Sequence, residues 1–353
     1  MTIPPGSTIG IVGGGQLGRM LAIAAARLGY DCHIFAPELD PPAARVAARA
    51  TRAAYDDIDA LRAFADAVDV ATYEFENLPA EALAELGDKL KPGTASLAIA
   101  QDRAVEKRFI EAYGGTVARW MAVDSEEDAE AAEQALGLPL VLKSRRLGYD
   151  GKGQAWARER GSARAAWQSI GHAPAIAEAA VDFAAEFSVI LARSNSGQMA
   201  SWDVPLNHHE GGILRRSTVP AGEPVEALAA QAVKIADGLA QALDHIGVLT
   251  VEFFATASGP IVNEIAPRVH NSGHWTIDGA ATSQFEQHIR AICGLPLGST
   301  RRLAPSVTMD NLIGDDVHGW PQLVAEPGAF LHLYGKGDAR PNRKMGHVTR
   351  LAD

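Results

Sequence analysis

Two carboxylates lie close together in the chain, each within a short apolar segment. Glu252 lies inside residues 248–254, and Glu264 belongs to the segment that starts at residue 262. Both segments are rich in β-branched and apolar residues, and Ser-Gly-Pro at 258–260 predicts the turn of a hairpin between them. Two unpaired carboxylates buried side by side are unfavourable, because like charges repel and each group loses its water. Mg²⁺ held by carboxylates and phosphate oxygens removes this repulsion. The pattern therefore predicts a metal site typical of ATP-using enzymes, although solvated carboxylates on an exposed hairpin would share it.

Polar side chains follow the second carboxylate directly. Arg268, His270, Asn271 and His274 carry guanidinium, imidazole and amide groups. Such groups bind anionic or planar polar ligands through hydrogen bonds. They are therefore candidates for the same site as the two carboxylates.

Composition narrows the class of protein. The chain has 353 residues, of which 47% are hydrophobic and 21% charged, as expected for a globular protein with two or three domains. No apolar run has the length of a membrane span, and residues 1–5 lack the features of a secretory signal. The two cysteines, Cys32 and Cys293, form no metal-binding or disulfide pattern, which favours a reducing cytoplasm. The net charge of −11 argues against nucleic acid as a partner.

The N-terminal segment predicts a parallel β-α-β unit. Residues 8–12 and 31–36 have the composition of buried strands, and an apolar-periodic helix lies between them. Residues 13–18 satisfy G-x-G-x-x-G, and Glu38 falls near the position of a ribose-binding acid. A dinucleotide site is one interpretation. The glycines could equally serve another phosphate or permit a tight turn.

A further strand, residues 68–73, ends at two acids, Glu74 and Glu76. Ligands of open α/β sheets bind beyond the carboxyl ends of the strands, so either acid could face the site at the glycine loop. Acids also favour the first turn of a helix, and Pro79 predicts a helix start nearby. Both interpretations remain open at this stage.

Lysines and glycines in the middle of the chain indicate phosphate binding. Residues 101–112 predict a helix that carries Lys107, and residues 140–143 predict a strand that ends in Lys143. A lysine at the end of an apolar strand can reach the phosphates of a nucleotide as a point charge. The glycine-rich segment 148–154 that follows is typical of a mobile flap over phosphates, although a flexible hairpin loop would have the same composition.

Two more acids and a histidine pair follow. Glu178 ends a predicted strand at 175–178, and Glu186 lies in an alternating strand at 184–190. Each could bind the adenosine part of a nucleotide or be a solvated edge residue. His208 and His209 lie in a segment expected to be a polar loop. Their adjacent spacing would place them on opposite faces of a strand, which argues against a shared metal.

The C-terminal segment is locally basic in an acidic protein. Residues 335–347 contain Lys336, Arg343 and Lys344 and only one aspartate. Phosphate recognition is the functional interpretation of this cluster, and a solvated basic tail is the alternative.

Taken together, these motifs resemble the ATP-grasp superfamily and, within it, the N5-carboxyaminoimidazole ribonucleotide synthase family. The resemblance rests on residues 14–20, 73–76, 148–154, 263–275 and 343–347. The string Asn-Glu-Ile-Ala-Pro-Arg-Val-His-Asn-Ser-Gly-His-Trp from residue 263 is the most specific part. The glycine loop alone is not specific.

The resemblance implies an ATP-grasp fold that combines α/β and α+β units. An N-terminal Rossmann-like domain with a parallel sheet would span residues 1–100. The ATP-grasp domain would span residues 101–295 and include a lid subdomain around 116–183. A small C-terminal β-rich domain would span residues 296–353.

The resemblance also implies a role for each matching residue. ATP would be bound by Lys107, Lys143, Tyr149, Asp150, Gly151, Lys152, Gly153, Gln154, Glu178, Glu186, Asn263 and Glu264. The ribotide would be bound by Gly15, Gln16, Leu17, Glu74, Glu76, Tyr149, Arg268, Lys336, Arg343 and Lys344. Catalysis would depend on Arg268, His270, Asn271 and Lys143. Mg²⁺ would be held by Glu252 and Glu264.

The implied activity is carboxylation of 5-aminoimidazole ribonucleotide in purine biosynthesis. It would use ATP, bicarbonate and two Mg²⁺ ions, pass through carboxyphosphate, and occur in a cytoplasmic homodimer. Three alternatives remain. The first is another ATP-grasp ligase that acts on a ribotide or a carboxylate, and the second is an NAD-dependent oxidoreductase. The third is a metabolite-binding protein without catalytic activity.

Overall fold

The computed structural model describes residues 2–148 and 152–352. The roles implied for Tyr149, Asp150 and Gly151 therefore lie outside the described residues. Within the described helices, none combines the length and the apolar character that crossing a membrane requires.

The N-terminal domain contains a parallel four-stranded sheet in the order β3-β2-β1-β4. Its elements are β1 Thr8–Val12, α1 Gln16–Arg27, β2 Asp31–Ala36, β3 Arg49–Arg52, α2 Ile58–Asp66, β4 Val70–Tyr73, α3 Ala80–Leu83 and α4 Thr94–Ala100. The predicted β-α-β unit is present as β1, α1 and β2. Helix α1 forms there because Leu17, Leu21 and Ala25 recur at helical spacing and bury one face.

A second, small antiparallel sheet has the strand order β5-β8-β6-β7, and we call it the lid sheet after the predicted subdomain. Its elements, with the helix that precedes them, are α5 Arg103–Ala112, β5 Trp120–Val123, α6 Glu126–Leu136, β6 Leu140–Ser144, β7 Gln154–Ala157, α7 Ala163–Ser169 and β8 Ala175–Ala179. Asp102 starts α5 by accepting hydrogen bonds from the N–H groups of Ala104 and Val105. Arg103 and Lys107 are thereby placed on the helix between the N-terminal domain and the lid.

The third sheet is large and antiparallel, in the order β14-β13-β9-β11-β12-β15-β17-β16, with β10 beside β9. Its strands and the helices between them are β9 Ala185–Arg193, β10 Met199–Ser201, β11 Leu206–Glu210, β12 Ile213–Val219, α8 Val225–Ala242, β13 Gly247–Thr256, β14 Gly259–Ala266, α9 Thr276–Gly279, α10 Gln284–Ile292, β15 Ser306–Ile313, α11 Trp320–Ala325, β16 Ala329–Leu333 and β17 Lys344–Ala352. The three C-terminal strands continue this sheet, because β15 pairs with β12.

One sequence-based expectation about this sheet was wrong. Residues 207–215, expected to be a polar loop, contribute to the strands β11 and β12, which turn at Gly211 and Gly212. Both glycines have positive φ, which allows the tight reversal. The strands were not recognised because only one face of this hairpin is buried and the other face carries polar side chains. His208 is exposed and His209 is directed inward, as their adjacent spacing predicted.

Two buried histidines join the N-terminal domain to the large sheet. His288 Nδ1 accepts the N–H of Val248 at 3.0 Å, and its Nε2 lies 2.8 Å from Oγ1 of Thr72. His245 Nε2 donates to the carbonyl of Val248 at 2.9 Å, and its Nδ1 lies 3.0 Å from Oγ of Ser96. The backbone N–H and the backbone carbonyl of Val248 are therefore both hydrogen-bonded between the two domains.

Candidate active site

The two carboxylates of the hairpin face each other across neighbouring strands. Glu252 on β13 pairs in register with Glu264 on β14, and the ladder is irregular directly after Glu252. Burial and the charge of Glu264 raise the pKa of Glu252 to about 7. Arg103 Nη1 lies 3.1 Å from Glu264 Oε2, and Nε2 of His270 lies 3.3 Å from Glu252 Oε1. The structure thus brings together the acid pair predicted from the sequence.

The acid pair fits a Mg²⁺ site whose remaining ligands are supplied by a substrate. Within residues 2–148 and 152–352, no three acidic, histidine or cysteine side chains form a metal-binding group. Two carboxylates alone do not complete the coordination of Mg²⁺, which normally also takes water and phosphate oxygens. Oδ1 of Asn263, next to Glu264, is buried and has no hydrogen-bond partner among the residues that the structure describes. The residues present therefore fit Mg²⁺ brought in with a polyphosphate.

Two cavities meet at the acid pair. The larger, about 630 Å³, opens between the N-terminal domain and the large sheet, and we call it the N-terminal cavity. The smaller, about 330 Å³, lies under the lid strands, and we call it the lid cavity. Glu252, Glu264 and Arg103 line both cavities. A group transferred from one ligand to the other would pass this point.

The lid cavity contains a buried cluster of opposite charges. Nζ of Lys107 lies 2.7 Å from Oε1 of Glu178, and Nζ of Lys143 lies 2.6 Å from Oε2. Burial opposes ionisation of Glu178, but the two lysines outweigh it and hold the pKa of this carboxyl well below its usual range. Lys107 also donates to the carbonyl of Asn263 at 3.0 Å. Two cations against one carboxylate leave a net positive charge, which suits a polyphosphate.

The other predicted residues of the lid cavity lie around this cluster. Lys143, Lys152, Gly153, Gln154, Glu178, Glu186, Asn263 and Glu264 all line its wall, whereas Lys107 lies behind it. Glu186 Oε2 is 2.8 Å from Nδ1 of His209. Burial alone would lower the pKa of His209, but Glu186 and Glu252 raise it above its ordinary value.

The glycine loop in the N-terminal cavity holds a carboxylate of the chain itself. Glu74 accepts hydrogen bonds from the backbone N–H groups of Gly15 and Gly18, the latter at 2.6 Å. A Cβ on Gly15 would lie 2.7 Å from Oε1 of Glu74, so this glycine provides the space for the acid. Burial raises the pKa of Glu74 although these N–H groups oppose the shift. Because Glu74 occupies the anion position at the start of α1, the motif has lost the site that a dinucleotide pyrophosphate would need.

Glu76 has a different partner. It forms an ion pair with Arg268, and both side chains line the N-terminal cavity. Burial would raise the pKa of Glu76, but the Arg268 guanidinium lowers it below its ordinary value. Of the two acids that end β4, one therefore supports the glycine loop and the other holds the arginine.

His270 and Asn271 lie in the same wall, beside Lys344. Burial, reinforced by the charges of Arg268 and Lys344, lowers the pKa of His270 well below its ordinary value. The amide oxygen and nitrogen of Asn271 are buried and have no hydrogen-bond partner within the described part of the chain. Unpartnered buried amides are uncommon, and one at a cavity wall is available to a ligand.

The remaining predicted ribotide residues divide into two groups. Gly15, Gln16, Leu17 and Lys344 line the N-terminal cavity, whereas Lys336 and Arg343 lie outside its lining. Lys336 is still near enough for its charge to lower the pKa of Glu74, and its Nζ lies 5.7 Å from the ring centre of Tyr334. Arg343 Nη1 donates to the carbonyl of Asp338 at 3.1 Å. Of the two, Lys336 is thus placed near the N-terminal cavity by its effect on Glu74.

Sequence reasoning assigned no role to two residues of this site, Arg103 and His209. Both line the two cavities, and each contacts a predicted ligand-binding acid. The N-cap at Asp102 was a usable signal for Arg103, because it places this arginine on the first turn of α5. His209 would have been a candidate if residues 206–210 had been recognised as a strand, because its side chain then faces inward.

Three family models match consecutive parts of the chain. The ribonucleotide synthetase preATP-grasp domain matches residues 6–101, and the ATP-grasp domain matches residues 108–285. The phosphoribosylaminoimidazole carboxylase C-terminal domain matches residues 307–353. These matches confirm the predicted fold class, while the exact domain boundaries stay a prediction.

Whole-chain comparisons define the family more closely. An N5-carboxyaminoimidazole ribonucleotide synthase from Brucella melitensis is 52% identical over 99% of this chain and 98% of its own length. The chain belongs to the N5-carboxyaminoimidazole ribonucleotide synthase family. As a member of this family it is an ATP-dependent ligase of purine biosynthesis, which confirms the activity expected from the motifs. The dinucleotide interpretation of the glycine loop is wrong.

Solved structures of the N5-carboxyaminoimidazole ribonucleotide synthase family have the same architecture. One, an ADP complex, has a TM-score of 0.95 and 45% identity, and the match covers 100% of this chain and 94% of that chain. Another, from Aspergillus clavatus, is in complex with ADP and 5-aminoimidazole ribonucleotide. It has a TM-score of 0.91 and 30% identity, with 98% of this chain and 94% of that chain covered.

Proposed function

We propose that the two cavities hold the two substrates of one carboxylation reaction. ATP occupies the lid cavity, and 5-aminoimidazole ribonucleotide occupies the N-terminal cavity. Bicarbonate binds where the cavities meet. One observation carries this assignment: Glu252, Glu264 and Arg103 line both cavities, so a phosphoryl acceptor at this point is within reach of both ligands.

On the ATP side, the lid cavity supplies charge and orientation. Lys143 contacts the phosphates directly, and Lys107 supports them from behind through Glu178 and the carbonyl of Asn263. Lys152, Gly153 and Gln154 cover the nucleotide. Glu178 and Glu186 lie toward the adenosine part, and the roles of residues 149–151 remain expectations from the motif.

Glu252 and Glu264 would hold two Mg²⁺ ions together with phosphate oxygens of the nucleotide. When bound, the ions neutralise the charge of the phosphates and of the two acids during phosphoryl transfer. The guanidinium of Arg103 contacts Glu264 and orients this carboxylate.

The reaction proceeds in two steps. Bicarbonate oxygen attacks the γ-phosphorus of ATP, which gives ADP and carboxyphosphate. The 5-amino group of the ribotide then takes the carboxyl group, and phosphate leaves. Arg268, His270 and Asn271 line the meeting point and position the anions there, while the buried walls exclude the water that would hydrolyse carboxyphosphate. Catalysis here consists mainly of positioning and charge stabilisation.

The ribotide lies along the N-terminal cavity. Its aminoimidazole ring is close to Gly15, Gln16, Leu17 and Arg268, and Glu76 holds this arginine in place. Its phosphate extends toward Lys344, with Lys336 and Arg343 at the outer edge. Glu74 acts on the ribotide through the glycine loop that it supports.

ADP release measured with each substrate omitted in turn tests this function. We expect fast release only when ribotide, bicarbonate, ATP and Mg²⁺ are all present, together with a product that loses its carboxyl group in acid. Release that does not depend on bicarbonate, or that depends on another carboxylate, would contradict the assignment. A nicotinamide absorbance assay serves as the negative control.

Assembly and compartment are proposed on the resemblance alone. We infer a homodimer in the cytoplasm, with small molecules rather than nucleic acid as partners, consistent with the net charge of −11. Light scattering coupled to size-exclusion chromatography measures the mass in solution. A mass close to the 37.3 kDa of one chain at micromolar concentration would contradict the dimer.

A further inference from the structure

A row of buried polar side chains ends on His270. Oγ of Ser217 bonds Oδ1 of Asn207 at 2.8 Å, and Nδ2 of Asn207 bonds Oγ of Ser188 at 3.0 Å. Oγ of Ser188 lies 2.7 Å from Oγ of Ser272, which lies 2.9 Å from Nδ1 of His270. The three serines are 0% exposed and Asn207 is 5% exposed. We call these four residues the serine–asparagine chain.

The hydrogen positions in this chain follow from one backbone contact. The N–H of Ser272 points at Nδ1 of His270 at 3.3 Å, and a backbone N–H can only donate. Nδ1 therefore carries no hydrogen, and the hydroxyl of Ser272 must donate to it. Ser188 must then donate to Ser272, and Asn207 donates to Ser188, so all hydrogens are directed toward His270. Hydrogen bonds aligned in this way polarise one another and strengthen the row.

The other ring nitrogen of His270 therefore carries the hydrogen. Nε2 lies 3.3 Å from Oε1 of Glu252, and the ring lines the N-terminal cavity. An Nε2–H group can donate to the carboxylate or to a substrate oxygen, but it has no lone pair with which to accept a proton. Donors behind a metal-binding carboxylate orient its oxygens, and their loss typically weakens metal binding about 10-fold to 100-fold.

The position of His270 is held separately from its hydrogen. Gln284 Oε1 accepts the backbone N–H of His270 at 2.9 Å, and its Nε2 donates to the backbone carbonyl of the same residue at 2.6 Å. Gln284 is 0% exposed. A change in the serine–asparagine chain can therefore alter the tautomer of His270 while its backbone stays in place.

We propose that Ser188, Asn207 and Ser272 are positioning residues that keep His270 in the Nε2–H form, as a hydrogen-bond donor toward Glu252. It follows that Nε2 of His270 is not the acceptor of the amine proton in the carboxylation. This inference rests on the proposed function only for its kinetic consequence. The tautomer itself is a property of the protein without substrates.

Nitrogen NMR of the full-length protein labelled with ¹⁵N-histidine tests the tautomer directly. The variant His270→Gln identifies the signal of His270 by its absence. We expect the wild-type signal to show a protonated Nε2 and an unprotonated Nδ1. A hydrogen on Nδ1, or on both nitrogens, would overturn the proposal without reference to activity.

The variant Asn207→Asp reverses the chain with almost no change in shape. A carboxylate only accepts, so Ser188 turns its hydrogen toward residue 207 and Ser272 turns toward Ser188. Nδ1 of His270 then keeps only the longer, 3.3 Å contact with the N–H of Ser272, and a hydrogen bond from Nδ1–H to Oγ of Ser272 competes with that contact. At mildly alkaline pH, which keeps the new acid ionised, we expect the Nδ1–H form of His270 to become populated. The Mg²⁺ concentration for half-maximal ADP formation should rise about 10-fold.

The matched control is Ser96→Ala, which removes a hydroxyl from Nδ1 of another buried histidine, His245, away from the cavities. We expect it to leave both the His270 tautomer and the Mg²⁺ dependence unchanged. An unchanged tautomer in Asn207→Asp would refute the role of the chain. Absence of bicarbonate-dependent ADP release from the wild type would refute the proposed function instead, and the NMR result would stand.

Discussion

Carboxylates of the active site occur in two kinds of surroundings. Glu74 is held by backbone N–H groups of the glycine loop, and Glu178 is held by two lysines. Glu252 and Glu264 instead face each other, and the pKa of Glu252 rises to about 7 as a result. The first two acids have partners that match their charge within the fold, whereas the second two repel each other although Arg103 and His270 contact them, and Mg²⁺ would complete their surroundings. Glu74 and Glu178 therefore stabilise the structure of the site, whereas Glu252 and Glu264 are the acids available to bind a ligand.

The largest effect on stability should come from replacing Glu178, the carboxylate that is bound by two lysines. Replacing Glu178 by Gln leaves the buried ammonium groups of Lys107 and Lys143 without their counter-charge. Loss of one partner from a buried ion network destabilises a protein by about 3–5 kcal/mol. Chemical denaturation measures this loss in the free energy of unfolding. The exposed Glu127→Gln is the control and should change stability by less than about 0.5 kcal/mol; an equally small change in Glu178→Gln would remove the distinction between the two kinds of acid.

The acid pair should respond in the opposite way. Glu264→Gln removes both the repulsion from Glu252 and the attraction to Arg103, so we expect the free energy of unfolding to stay within about 1 kcal/mol of the wild type. The rate of bicarbonate-dependent ADP formation should fall about 100-fold to 1,000-fold, as when one group that stabilises the transition state is lost. Steady-state kinetics beside the same Glu127→Gln control measures the ratio. Normal ATP turnover would show that Glu264 does not hold the metal.

His245 and His288, which join the N-terminal domain to the large sheet, are buried groups whose hydrogen bonds are complete when their rings are neutral. Burial lowers the pKa of His245 to about 4 and that of His288 to about 3, from an ordinary value of 6.5. Because the unfolded chain binds protons more readily, stability is fully present above pH 6.5 and is lost as the pH falls toward 4. His245 alone should account for about 2 kcal/mol between pH 7 and pH 5.

Denaturation of the wild type and of His245→Gln at pH 7 and at pH 5 isolates this contribution. The variant should be less stable at pH 7, and its stability should depend less on pH. Parallel pH profiles for the two proteins would show that His245 is not the titrating group.

The smallest effect should come from the acid that supports the glycine loop. In Glu74→Gln one carboxylate oxygen becomes an amide nitrogen, which cannot accept the N–H of Gly15 or Gly18. An unsatisfied buried donor destabilises a protein by about 1–3 kcal/mol. We also expect the KM for the ribotide to rise more than the KM for ATP, since the loop lines only the ribotide side. Equal changes in the two KM values would contradict this division of the site.

Much of the local structure could be predicted from sequence. The hairpin that carries Glu252 and Glu264, the β-α-β start and the strand that ends at Lys143 were all readable from apolar periodicity and turn residues. The hairpin 206–219 was missed because its polar face dominates the sequence. The G-x-G-x-x-G motif misled in one respect, since spacing alone does not reveal that a glutamate more than 50 residues later occupies its anion position.

The sequence by itself determined which short segments become strands and helices, and that two acids would face each other across one hairpin. These outcomes depend on hydrogen bonds and side-chain spacing within a few residues. Only the tertiary structure decided that Arg103 reaches Glu264 and that Lys107 and Lys143 share Glu178. It likewise decided that the serine–asparagine chain ends on His270. Such contacts join residues far apart in the chain, and their geometry is set by how the three sheets pack rather than by any local pattern.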